Sequence, residues 1–101
     1  MPAQDLVWYR HVGRSDGTAN WANNGHQTKV GNGWNFKHVF AADDGVVYAI
    51  DDAGDMYWYQ HLGRSRGTAN WANNGRQTKV GNGWNFINVF AANDSVVYAV
   101  V

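Results

Sequence analysis

The run Asn70-Trp71-Ala72-Asn73-Asn74 carries the two kinds of surface that a neutral, hydroxyl-rich ligand such as a sugar needs. An indole face suits a patch of C–H groups, and planar side-chain amides donate and accept hydrogen bonds within one turn of chain. The run also stands fifty residues earlier, as Asn20-Trp21-Ala22-Asn23-Asn24. Each copy sits in a Gly-bounded stretch of about thirteen residues, Gly13 to Gly25 and Gly63 to Gly75, with no hydrophobic pattern to explain its repetition. Long loops on rigid sheets are where binding sites concentrate. A second repeated element, Gly31-Asn32-Gly33-Trp34 and Gly81-Asn82-Gly83-Trp84, adds glycines that let a ligand approach backbone N–H groups closely. Each of these residues also has a purely structural reading. Trp21 and Trp71 can anchor a long loop, and Trp34 and Trp84 can fill the space between strands. Asn32, Asn82 and the run Asn73-Asn74-Gly75 are turn signatures with or without a ligand.

Catalytic chemistry finds less support. His11 and His61 recur, but no Ser or Cys nucleophile recurs with them in a motif such as Gly-x-Ser-x-Gly. Asp5 and Asp55 recur, as do Asp44 and Asp94, within turn-like sequence where a carboxylate caps the backbone. Asp51-Asp52-Ala53-Gly54-Asp55 has the look of a calcium loop, yet its counterpart, Met1 to Asp5, lacks the paired acids, and the chain contains no Glu to close such a loop. The expectation is no enzyme, no catalytic residues, no metal and no cofactor. Eight Lys and Arg balance eight Asp and Glu, so no basic field exists to gather nucleic acid. With no Cys, the redox compartment stays open. The first residues lack a basic and then apolar leader pattern, and no apolar run nears the roughly 20 residues that cross a bilayer. No membrane insertion is expected.

The elements that must position these residues follow from the repeat. Offset by fifty, 36 of the first 50 positions are identical, with Trp8, Trp21, Trp34 and Tyr48 falling on Trp58, Trp71, Trp84 and Tyr98. A period near 50 matches one four-stranded propeller blade. Per copy, four β-branched or aromatic runs are bounded by Gly, Asn or Asp; in the second they are Met56 to His61, Arg76 to Val80, Phe86 to Phe90 and Val96 to Val100. Nothing reads as a helix. The fold class expected is all-β: a β-propeller of four-stranded antiparallel blades, about two per chain, in a single unit over residues 1–101 made of repeats 1–50 and 51–100. The chain starts at the third strand of a blade (Leu6 to Val12), continues through the fourth (Gln27 to Val30), supplies one complete blade from Trp34 to Val80, and ends after two more strands. Since propellers need about four to eight blades, the ring is expected to close by oligomerisation, the end of one chain joining the start of the next. A trimer with six blades ranks first; a dimer with four, or a pentamer with ten shared between two rings, remain open. So close a pair of copies also points to recent or deliberate duplication.

The segments Asn20-Trp21, Thr28-Lys29-Val30-Gly31-Asn32-Gly33-Trp34-Asn35-Phe36-Lys37, Val39-Phe40 and Val46-Val47-Tyr48-Ala49-Ile50 resemble the tachylectin-2 type of β-propeller lectin, and the likeness extends over both repeats. The chain departs from that pattern by one Gly fewer before Trp34 and by Trp-Tyr-Arg-His-Val-Gly-Arg-Ser from Trp8 onward. The resemblance implies a metal-free lectin for N-acetylated amino sugars such as GlcNAc and GalNAc, with one pocket per blade. It places each pocket between adjacent blades, between the large loop joining the outer strands and a connecting segment of the neighbouring sheet. On this chain the implied carbohydrate-binding positions are Asn20, Trp21, Ala22, Gly31, Asn32, Gly33 and Trp34, with Asn70, Trp71, Ala72, Gly81, Asn82, Gly83 and Trp84. Weak equal pockets of this kind would act together on a glycan-coated surface. The competing reading is a propeller kept as a scaffold for protein contacts, or as an assembly model, without sugar binding.

Overall fold

A computed structural model of the chain describes residues 4–101, so Met1 to Ala3, which would open the first repeat, lie outside the described residues. The strands are β1 (Leu6–Trp8), β2 (Thr28–Gly31), β3 (His38–Ala41), β4 (Val46–Ile50), β5 (Met56–Gln60), β6 (Thr78–Gly81), β7 (Asn88–Ala91) and β8 (Val97–Val100). Among the described residues they form three antiparallel sheets: β1-β2, then β3-β4-β5-β6 in chain order, then β7-β8. A two-strand, four-strand, two-strand division is the one that the phase of the repeat predicts. The chain divides into two compact units, one running up to Trp34 and including Gly63–Ala69, the other made of Asn35–Leu62 and Asn70–Val101.

In the larger unit, the four-stranded sheet pairs Tyr48 with Phe40 on one side and Trp58 on the other, and Ile50 with His38 and Met56. The core lies where this sheet meets β7-β8. Ile50, Met56 and Val89 are buried, with Phe40, Tyr48, Trp84, Phe86 and Val97 packed against them. Ile50 and Ala49 are entirely buried. Fully burying one such aliphatic side chain contributes about 1.5–3 kcal/mol, so a unit with few of them has little stability in reserve. By contrast, β7-β8 presents Phe90, Tyr98 and Val100 at about half exposure, and Val101 is 90% exposed.

In the smaller unit β1 and β2 pair with a register shift between Leu6 and Val7, as β5 and β6 do between Met56 and Tyr57. Segment Gly63–Ala69 lies against this pair: the Trp8 indole Nε1 donates to the Arg64 carbonyl at 2.8 Å, and Arg10 donates to the Ser65 carbonyl at 3.2 Å.

Strand ends differ from the sequence expectation. The run Leu6 to Val12 pairs only to Trp8, because His11 makes an isolated bridge with Trp21 and Val12 starts a 3₁₀ turn. Pairing of β6 starts at Thr78 rather than Arg76, since Asn73 and Asn74 turn the chain just before it, and β7 starts at Asn88 rather than Phe86. Among the described residues no α-helix forms, and the short helical assignments are turns. Val12–Ser15, Ala22–Gly25 and Ala72–Gly75 are 3₁₀ turns. In the latter two, consecutive asparagines at φ 53–56° are left-handed, so these are tight turns rather than helical stretches.

Candidate functional site

Two loops with near-identical sequence fold alike. Gly13 and Gly63 are buried at the start of each, and a Cβ on either would run into the following Thr18 or Thr68. Both loops close through the same bond, Gly17 N–H or Gly67 N–H to the carbonyl four residues earlier, at 2.8 Å. In the first loop the Asp16 carboxylate accepts from the Thr18 hydroxyl at 2.9 Å and from the Thr18 N–H at 3.2 Å. Those bonds, led by the hydroxyl, hold the Asp16 carboxyl below its usual value of 3.8.

Beyond this turn, Trp21 stacks on His11 with ring centroids 4.4 Å apart and meets Tyr9 edge-on at 6.1 Å. His11 Nε2 lies 2.7 Å from the Thr18 carbonyl, which fixes the imidazole under the indole. Trp71 repeats the arrangement on His61 at 4.5 Å and Tyr59 at 6.1 Å. The histidines are thus supports for tryptophans. Trp21 remains 42% exposed, and with Tyr9 and Gly25 it lines a shallow apolar recess of about 290 Å³. Its neighbours Ala19, Asn20, Asn24 and Gly25 border a polar hollow of about 240 Å³ on the same loop. Asn20 and Asn70 contribute their carbonyls to the fold, accepting from Gly13 N–H at 3.0 Å and Leu62 N–H at 2.8 Å. Ala22 and Ala72 begin the 3₁₀ turns. In the second copy Asn73, Asn74, Arg76, Gln77 and Thr78 enclose a polar notch of about 450 Å³.

The connector after each outer strand forms a different surface. Gly31 lies directly over the Trp34 indole, and Gly81 over that of Trp84; a Cβ at either would collide with the ring nitrogen. Trp34 is 8% exposed and its N–H donates to the Gln4 carbonyl at 2.9 Å, while Trp84 joins the core of the larger unit and donates from its N–H to Gly54. Both tryptophans lie beneath the connector, Trp34 buried and Trp84 partly buried. Asn32 and Asn82 are exposed beside them, and Gly33 and Gly83 turn with φ of 69° and 71°.

Of the fourteen positions singled out, the structure brings Gly31 and Asn32 into one cleft of about 230 Å³, which Lys29, Val30 and Ala69 complete. Ala69 lies within the large loop of the second repeat, Gly63 to Gly75, so this cleft joins a connector to a large loop. Asn20, Trp21, Asn70, Trp71 and the alanines after them lie outside it. Lys29 and Ala69 were missed from sequence, although strand alternation places Lys29 on the opposite face to buried Val30. No sequence signal marks Ala69. The ammonium of Lys29 is 3.4 Å from the Asp5 carboxylate, which offsets the charge that the lysine brings to the cleft. Among the described residues no group of three or more His, Cys, Asp or Glu converges, and no helix is long and apolar enough to cross a membrane.

The model of one protein family, Tachylectin, matches residues 3–101. Searches of curated proteins and of solved structures return no match.

Proposed function

The chain belongs to the Tachylectin family, and from that premise we propose that it is a non-catalytic lectin that binds N-acetylated amino sugars of the GlcNAc and GalNAc type. The observation that carries this reading is the cleft where Gly31 and Asn32 of a connector face Ala69 of a large loop. Its 230 Å³ lies below the roughly 300–1,000 Å³ of pockets for drug-sized ligands, which suits one sugar ring rather than a long chain. A cleft whose lysine is already paired with a carboxylate favours a neutral ligand. Asn32 supplies an exposed planar amide of the kind an acetamide or hydroxyl pairs with. Trp21, on its histidine support, offers a face for a second contact along a glycan.

The binding form in this reading is a closed ring of blades made by several copies. The outer strand edge of β8 continues the repeat: placing β1 of the next chain beside it sets Tyr98 opposite Trp8 and Val100 opposite Leu6, as Tyr48 faces Trp58 and Ile50 faces Met56 within one chain. Such pairing would cover the half-exposed Tyr98 and Val100. Three copies giving six blades remains the preferred count. Each repeat then contributes one pocket, and weak pockets gain strength from joint engagement.

Glycan-array binding competed by free GlcNAc or GalNAc is the expected result. A blank array across N-acetylated sugars, from a protein that assembles normally, would favour the scaffold reading instead.

A further inference from the structure

Trp8 is clasped by the second large loop. Its Nε1 donates to the Arg64 carbonyl at 2.8 Å, and its ring lies so close to Gly67 that a Cβ there would stand 2.7 Å from Cε3. Gly67 is buried as a result. The repeat contains both parts of this clasp a second time, and neither is engaged. Trp58, the copy of Trp8, makes no side-chain hydrogen bond among the described residues. Gly17, the copy of Gly67, has the same left-handed turn (φ 76° against 78°) and the same closing bond, yet it is exposed and a Cβ on it would meet nothing within 4 Å.

We propose that these idle halves belong together on different molecules: Trp58 of one copy docks under the Gly13 to Gly17 turn of a second copy, its Nε1 donating to the Arg14 carbonyl. The occupant is a second copy of this chain because the intramolecular clasp is made from the same residues, Trp and Gly-Arg-Ser-x-Gly, and so already displays the fit. The contact is head-to-tail, which leaves one Trp58 and one turn unsatisfied at the ends of any open chain of copies and satisfies all of them only in a closed ring. It has a consequence for binding. Within one chain the clasp holds Ala69 next to Gly31 and Asn32; the intermolecular clasp would hold Ala19 of the second copy next to Gly81 and Asn82 of the first. The second sugar cleft is therefore built from two chains. This inference rests on the ring-closure reading and adds the residues that lock it.

The test uses W58A and G17N in the full chain. Asn tolerates a left-handed φ, so the second variant adds a side chain in the socket with little backbone strain. Sedimentation velocity and native mass are measured for wild type, for each variant and for their equimolar mixture, with circular dichroism to verify folding. Because buried Trp residues dominate interfaces, each variant should raise the assembly dissociation constant by roughly 30-fold or more. The mixture should give a one-to-one pair as its main species, because G17N supplies an intact Trp58 and W58A an intact turn. Variants that assemble with the wild-type constant, or a mixture that associates no better than its components, overturn the clasp while leaving ring closure intact. A wild-type chain that stays monomeric at all concentrations overturns both. Should W58A fail to fold, G17N alone decides, since a Cβ at Gly17 would meet nothing within 4 Å in the isolated chain.

Discussion

Replacing Gly31 by Ala adds one methyl group at the floor of the cleft, and the structure fixes where that methyl must go. Gly31 has a φ open to any residue, so backbone strain plays no part; the Cβ would lie on the indole nitrogen of Trp34, well inside van der Waals contact. Trp34 is 8% exposed and cannot swing clear. Overpacking of this kind costs about 1–3 kcal/mol. With a smaller Phe at position 34 the collision is relieved, and Ala in place of Gly at a compatible φ then stabilises by about 0.4–1 kcal/mol through the unfolded chain. A double-mutant cycle of G31A and W34F, by urea unfolding at one fixed protein concentration, should therefore give a coupling of about 1–3 kcal/mol, with G31A harmful only when Trp34 is present. Equal costs in the two backgrounds would refute the view that Gly31 is required by the indole beneath it.

Other substitutions separate the site from the scaffold. Asn32→Ala, at an exposed position, should leave urea stability within about 0.5 kcal/mol but weaken GlcNAc binding by about tenfold, as measured by calorimetric titration. Ile50→Ala should lower unfolding stability by about 2–5 kcal/mol, since the side chain is entirely buried in the small core. For Asp16, a carboxyl held below 3.8 by Thr18 stabilises the folded form above its unfolded value, and that contribution disappears as pH falls through the lowered folded value. Melting curves of wild type and D16N should thus differ near neutrality and converge in acid once the pH has fallen past the lowered folded value; a gap that stays constant however far the pH is lowered would rule out the carboxylate as its source.

Much of the fold was legible because the repeat displays each element twice. Aromatic and β-branched runs located the strands, and the phase of the repeat located the sheet divisions, since strands paired in order. Ends were less legible: the stretch from Tyr9 to Val12 has strand composition, but His11 is drawn to Trp21 and leaves the ladder. The candidate site was legible only in part. Gly31 and Asn32 share one cleft with Ala69, whereas Trp34 and Trp84 lie beneath the connector, where a glycine three positions earlier sits on each ring. Ala69 enters the cleft through its place in a loop held by Trp8, a contact across more than fifty residues of sequence that composition and spacing do not encode.

Isothermal titration of the assembled protein with free GlcNAc and GalNAc decides whether the chain is the proposed lectin with one amino-sugar pocket per repeat. Saturable heat is expected with at least one of them, at a stoichiometry of one sugar per repeat and in the micromolar to millimolar range, about −8 to −4 kcal/mol. No heat with either sugar, from protein whose assembly is verified in the same sample, would contradict it.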